Sequence, residues 1–107
     1  MSYINEVIRP DQSVGEIVPV TITVRERLST DKNTVAAYRY KEDSTTPTTG
    51  IDISARVSIT TNVVSLADIF LSGETAETGK YRIKILVTGS TGTPAPITEV
   101  NLKIKVI

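Results

Sequence analysis

Two stretches near the end of the chain restrict what it can fold into more than any other feature. Residues 79–87 read Gly-Lys-Tyr-Arg-Ile-Lys-Ile-Leu-Val, and residues 97–106 read Ile-Thr-Glu-Val-Asn-Leu-Lys-Ile-Lys-Val. Tyr81, Ile83, Ile85 and Val87 share one parity, and Val100, Leu102, Ile104 and Val106 do the same. Successive side chains of a strand point to opposite faces, so an apolar period of two marks a strand with one face buried. Only a turn-rich connection separates the runs, which makes them adjacent strands of one core.

The rest of the chain must close that core. Its 107 residues are the size of one domain, and a chain of this length buries roughly two-thirds of the surface it exposes when unfolded. A single domain over residues 1–107, with a short N-terminal arm at 1–10, is expected. Cysteine is absent, which removes disulfides, thiolate metal sites and a cysteine nucleophile and leaves folding to packing. Twelve basic residues balance twelve acidic ones, so no global field draws in nucleic acid or an anionic membrane. Any partner recognised through charge must be recognised locally. Residues 1–9 lack the basic start and apolar run of a secretory signal. No stretch approaches the ~20 apolar residues of a membrane helix. A soluble protein made for the cytoplasm, or leaving it by another route, is the expectation.

Taken in order, residues 5–9 read as a short edge strand closed by Pro10, whose missing N–H ends ladder pairing, and residues 11–13 turn the chain. Over residues 16–25, Val18, Val20, Ile22 and Val24 share one face and Ile17, Thr21 and Thr23 the other, with Pro19 at an edge or bulge. A turn is expected at 28–33. The strand at 34–41 is read in the register that buries Ala36, Tyr38 and Tyr40 and turns Val35, Ala37, Arg39 and Lys41 outward. Residues 42–50 form a Ser, Thr and Pro loop expected to be mobile. Ile51, Ile53, Ala55, Val57 and Ile59 alternate with polar residues as one half-buried strand, and 63–71, where 65–71 could also form one helical turn, is read as a strand because nothing around it supports a full helix. The total is about seven strands, turn signals every 8 to 12 residues and no amphipathic helix, the pattern of an all-β, immunoglobulin-like two-sheet β-sandwich. Gly79-x-Tyr81 matches the tyrosine corner of such sandwiches, in which the phenol bonds back to upstream backbone. Ile83 stands where antibody domains place a disulfide cysteine, so a hydrophobic contact replaces the bridge.

The residue types needed for reaction chemistry are scarce. Histidine is absent, and with it the usual general base and the commonest metal ligand. Asp31, Asp43, Asp52 and Asp68 lie in different segments, without the spacing of a calcium loop or a glycosidase pair, and read as solvated acids. Gly89-Ser90-Thr91-Gly92 has no phosphate-binding lysine and no following helix, so it reads as a hairpin loop. No catalytic, metal or cofactor-binding residues are expected, and an enzyme is not.

One pattern does suggest a contact. With the last two strands paired beside the strand at 34–41, their outward faces carry Arg39, Lys41, Lys80, Arg82, Lys84, Lys103 and Lys105, interrupted chiefly by Glu99 and Asn101. The weightier reading is that these cations are gatekeepers that keep a sticky sheet from pairing with its neighbours. The alternative is that an acidic protein surface meets them, since like charges directly opposed across strands are destabilising. Leu86 lies on the same face, between the aliphatic stems of Lys84 and Lys103, as an apolar member of that patch. The arm bearing Tyr3, Ile4, Val7 and Ile8 is more apolar than a free tail and is expected to pack on its own domain or on a neighbouring subunit.

The order of segments resembles the small immunoglobulin-like virion proteins of tailed bacteriophages. The resemblance runs through Pro10-Asp11, Val20-Thr21-Ile22-Thr23-Val24 ending at Leu28, and Thr34-Val35-Ala36 after Asp31. It continues through Thr49-Gly50-Ile51-Asp52-Ile53, Leu71-Ser72-Gly73, Thr78-Gly79-Lys80-Tyr81-Arg82-Ile83 and the closing Glu99-Val100-Asn101-Leu102-Lys103-Ile104-Lys105-Val106. It implies a structural role on the virion: a capsid decoration or cement protein, or a module of the head fibre, connector, tail or baseplate. Its partners would be the major capsid protein or other virion proteins, bound in many copies or as a homo-oligomer, with no cofactor, nucleic acid or membrane involved. A carbohydrate or cell-surface binding sandwich is the competing expectation. Exposed aromatic platforms would favour it, Tyr38 and Tyr40 side by side in solvent above all.

Overall fold

The structure is a computed structural model that describes residues 2–24, 35–42, 50–89 and 97–107, with side chains from residue 4 onward. The turn expected at 28–33 and most of the loops expected at 42–50 and 89–96 lie outside the described residues. Among the described residues eight strands follow one another: β1 (Ser2–Ile8), β2 (Val20–Thr23), β3 (Val35–Lys41), β4 (Ile51–Asp52), β5 (Val57–Thr60), β6 (Val63–Leu66), β7 (Gly79–Thr88) and β8 (Ile97–Val106). They form a five-stranded sheet in the order β1-β8-β7-β3-β4 and a three-stranded sheet in the order β2-β6-β5. The fold is all-β, and its two sheets are compatible with a β-sandwich.

The longest ladder is the antiparallel pair β7–β8, with Ile83 opposite Leu102 and Ile85 opposite Val100. All four are fully buried, as the period of two requires. The same core cluster takes Val20 from β2, Val57 from β5 and Val64 and Leu66 from β6, so each sheet contributes one apolar face. Tyr81 is buried at the foot of β7, its hydroxyl donating to the Glu77 carbonyl oxygen at 2.9 Å, and its ring meets Phe70 edge to face at 5.5 Å.

The β3 register is the reverse of the expected one. Ala37 and Arg39 are buried, while Tyr38 lies exposed and Ala36 and Tyr40 half-buried on the opposite face. The reason is a set of partners far along the chain. Arg39 Nη1 and Nη2 donate to the two Glu74 carboxylate oxygens, each at 2.7 Å, and Nη1 also donates to the Ile69 carbonyl at 2.9 Å. The guanidinium sits over the Phe70 ring at 4.7 Å. A planar cation with its donors paired and a ring beneath it can be buried where an unpaired one cannot. A second arginine holds the same loop: Arg56 Nε donates to the Phe70 carbonyl at 3.0 Å, and its Nη2 lies 3.9 Å from Asp68, itself buried.

Two expected strands are interrupted. The alternation from Ile51 to Ile59 is split by a 3-10 turn at Ser54–Arg56, where the chain passes from one sheet to the other. Ile53 is the buried hinge of that crossing: its N–H donates to Ala37, and Ser54 Oγ accepts from the Ala37 N–H. Ile51 and Ala55, expected inside, are exposed. Pairing at 63–71 stops at Leu66, and the irregular 67–71 segment takes the arginine contacts just described. Likewise the 16–25 run is a strand only over β2, after Pro19.

At the other end of the chain, β1 runs parallel to β8 at the sheet edge. Pro10 does not end the pairing. Arg9 N–H donates to Lys103 O and Gln12 N–H to Lys105 O, so three residues of the arm span two of β8. Pro10 follows a residue that faces β8, so its own position asks for no ladder donor, and the one-residue bulge after it moves the next donor to Gln12. Gln12, expected in a turn, is buried beside Val106, and the turn falls at 13–16.

Arg39 also holds the Glu74 carboxyl below the ordinary glutamate range, chiefly by hydrogen bonding. A carboxylate with a lowered folded pKa contributes stability that is complete above the unfolded value of about 4.3 and is lost as pH falls through the folded one. Glu74→Gln is expected to cost about 2 kcal/mol near neutral pH and to remove this part of the acid dependence. Urea unfolding of both proteins across the acid range checks it; parallel stability curves would contradict it.

Candidate functional site

Burying one parity of β7 and β8 sends the other to the outer face of the five-stranded sheet. Lys80, Arg82, Lys84 and Leu86 come from β7, and Glu99, Asn101, Lys103 and Lys105 from β8. The register aligns them in rows. Lys80 faces Lys105, Arg82 faces Lys103, Lys84 faces Asn101 and Leu86 faces Glu99. From β3, Tyr40 joins the Arg82 row, Tyr38 the Lys84 row and Ala36 the Leu86 row. From β1, Ile8, Glu6 and Ile4 extend the Lys103, Asn101 and Glu99 rows.

The face therefore has two ends. One is cationic, built from two directly opposed like-charge pairs, Lys80 with Lys105 and Arg82 with Lys103. The other is largely apolar, with Leu86 and Ala36 half-buried and Ile4 and Ile97 exposed. Between them Lys84 Nζ lies 3.5 Å from Glu99, and the Asn101 amide donates to Glu99 at 2.8 Å. Asn101 first, and the Lys84 and Arg82 charges behind it, hold the Glu99 carboxyl below its usual range. Among the described residues no ion pair is made by Lys80, Lys103 or Lys105, whereas the Arg82 guanidinium sits over the Tyr40 ring at 4.8 Å. At the cationic end a shallow cleft of about 230 Å³ is lined by Arg9, Lys80, Lys103 and Lys105 together with Asp11 and Glu42.

Six of the eight residues expected in the contact patch thus share this face: Lys80, Arg82, Lys84, Leu86, Lys103 and Lys105. Arg39 and Lys41 do not. Both lie on the opposite parity of β3, facing Ile83 and Tyr81, and each is ion-paired, Arg39 with Glu74 and Lys41 with Glu77 at 3.3 Å. Of the arm, Ile4 and Ile8 project from the outer face with 66% and 83% of their surface exposed, and Val7 packs against the core. Tyr3 is placed only by register, opposite Thr98.

The face also contains what the alternation of β3 concealed, the tyrosine pair. Tyr38 is open to solvent. Tyr40 is not: Gly50 closes on it so tightly that a Cβ there would stand 2.9 Å from Tyr40 Cε1, and Arg82 covers the ring. Strand order further bears on the cations. Gatekeepers protect edges, yet β7 and β8 are interior strands, flanked by β3 and β1. Their lysines guard no edge.

No protein-family model matches this chain, and no curated protein matches it.

If Lys80 and Lys105 oppose one another at a cost, Lys105→Glu is expected to raise stability by several tenths of a kcal/mol. Chemical denaturation checks this; a lowered midpoint would contradict cross-strand repulsion at this site.

Proposed function

We propose that this protein is a virion structural protein of tailed bacteriophages, most simply a capsid decoration protein, which docks through the outer face of its five-stranded sheet. The observation that carries the reading is the cationic end of that face: two opposed like-charge pairs on interior strands, beside exposed isoleucines. Such a surface is suited to an acidic partner that also buries apolar area. It offers binding, with charge giving register and rate and the aliphatic side chains giving contact area.

The immunoglobulin-like part of the reading has its own support. The orders β3-β7-β8 and β2-β6-β5 follow those of strands C, F, G and B, E, D in that sandwich class, with β4 beside β3. The Tyr81 to Glu77 bond has the form of a tyrosine corner. The virion role itself comes from the segment order of the sequence. Bound in many copies across joints between shell subunits, such a module raises shell stability by mass action and multivalency. A head-fibre, connector, tail or baseplate position would use the same face.

A second reading, a carbohydrate-binding module, draws on the outward position of Tyr38 and Tyr40. It is the weaker one, because Arg82 and Gly50 already occupy the Tyr40 ring and leave one open aromatic where a sugar platform wants a flat pair.

The test is to mix the purified protein with capsids that lack it. Attachment at regular sites is expected, weakening as salt rises past a few hundred millimolar and falling about tenfold or more in a Lys103→Glu, Lys105→Glu double variant. Attachment indifferent to both salt and the variant overturns docking through this face, and glycan binding lost in Tyr38→Ala would favour the second reading.

A further inference from the structure

Among the described strands, one edge stands out. β4, β2 and β5 also lie at sheet edges, but they are two, four and four residues long. β1 is seven residues long and has neither a lysine nor a proline within it. Long, unprotected edges with apolar side chains are templates for further pairing. The direction of the free groups can be read from the ladder. Arg9 N–H donates to Lys103 O, and backbone groups alternate along a parallel pair. The N–H and C=O of Val7 and Arg9 therefore face β8, while those of Ile4, Glu6 and Ile8 face away, with no strand beside them among the described residues.

We propose that β1 is a self-association edge: it takes β1 of a second copy in antiparallel, two-fold pairing, joining two five-stranded sheets into one. The register that uses all seven residues sets Ser2 opposite Ile8, Ile4 opposite Glu6 and Asn5 opposite the same residue of the second copy. An amide facing its own symmetry mate can donate and accept at once. The same register keeps Glu6 away from Glu6, which a shift to the next hydrogen-bonding register would oppose directly. The outward row of Ile4, Glu6 and Ile8 is thus matched by itself, and the formal net charge of zero sets up no long-range repulsion between copies. Because the two-fold axis is normal to the sheet, both outer faces point the same way. If that face docks as proposed above, the dimer presents two cationic ends to one partner, and binding becomes bivalent. The pairing itself does not rest on that reading.

Sedimentation equilibrium of the full chain tests it, with two variants. Proline at position 6 removes only an outward-facing N–H and leaves the ladder to β8 intact; lysine at position 4 charges the edge without touching the backbone. The expected result is a concentration-dependent dimer, with Glu6→Pro and Ile4→Lys each raising its dissociation constant about tenfold or more and leaving circular dichroism unchanged. Should Glu6→Pro fail to fold, Ile4→Lys alone decides. A wild-type chain that stays monomeric at several hundred micromolar, or a dimer indifferent to Ile4→Lys, overturns the proposal. A monomer that still attaches to capsids overturns the pairing alone, whereas a dimer that does not attach supports the pairing and overturns only the docking reading.

Discussion

The β7–β8 ladder is the constraint from which the rest follows. Strand side chains alternate strictly, so setting Ile83 against Leu102 inside the protein leaves no freedom about what stands outside: Arg82 must face Lys103, and Lys80 must face Lys105. A slip of one residue would trade a dry aliphatic face for a cationic one, so the register is strongly held. The sheet then grows on both sides of this pair, β3 against β7 and β1 against β8, which puts the cations at the centre of a broad face. A core requirement and a surface property are thus one fact seen from two sides.

The second organising contact lies inside, where Arg39 takes both oxygens of Glu74 and the carbonyl of Ile69. It ties β3 to the irregular segment that precedes β7, and Arg56 ties the same segment to the 3-10 turn through Phe70. Two guanidinium groups do here what a continuous strand would otherwise do. They supply donors to carbonyl groups that have no ladder partner, in a place too buried for water to serve as readily.

These two contacts show what could be read from the residues and what could not. The β7 and β8 strands were legible because their parities are nearly unmixed: apart from Gly79 and Thr98 every inward position is aliphatic or Tyr81, and most outward ones are charged or polar. In β3 both parities are mixed, Ala36, Tyr38 and Tyr40 against Val35, Ala37, Arg39 and Lys41, and local hydrophobicity favours the tyrosines. What decides is an acid 35 residues further along the chain, and no local pattern contains it. The run from Ile51 to Ile59 misled for a different reason, since its period of two continues unbroken through a turn that hands the chain from one sheet to the other. For the candidate site, the six residues on the central pair could be found by parity alone. Arg39 and Lys41 could not be excluded without the register of β3. The outward isoleucines of β1 become informative only once that strand is known to lie at an edge.

The surface that results is divided, cationic at one end and aliphatic at the other, and among the described residues Lys80, Lys103 and Lys105 make no ion pair and lie on strands flanked on both sides. Lysine reactivity measures most directly whether this face is the one that docks. With the protein free and then bound to capsids that lack it, acetylation rates are compared at Lys80, Lys103 and Lys105 on the outer face and at Lys41, paired with Glu77 on the opposite parity. The account predicts that binding slows the three outer-face lysines several-fold and leaves Lys41 as it was; protection of Lys41 with the other three unchanged would contradict it.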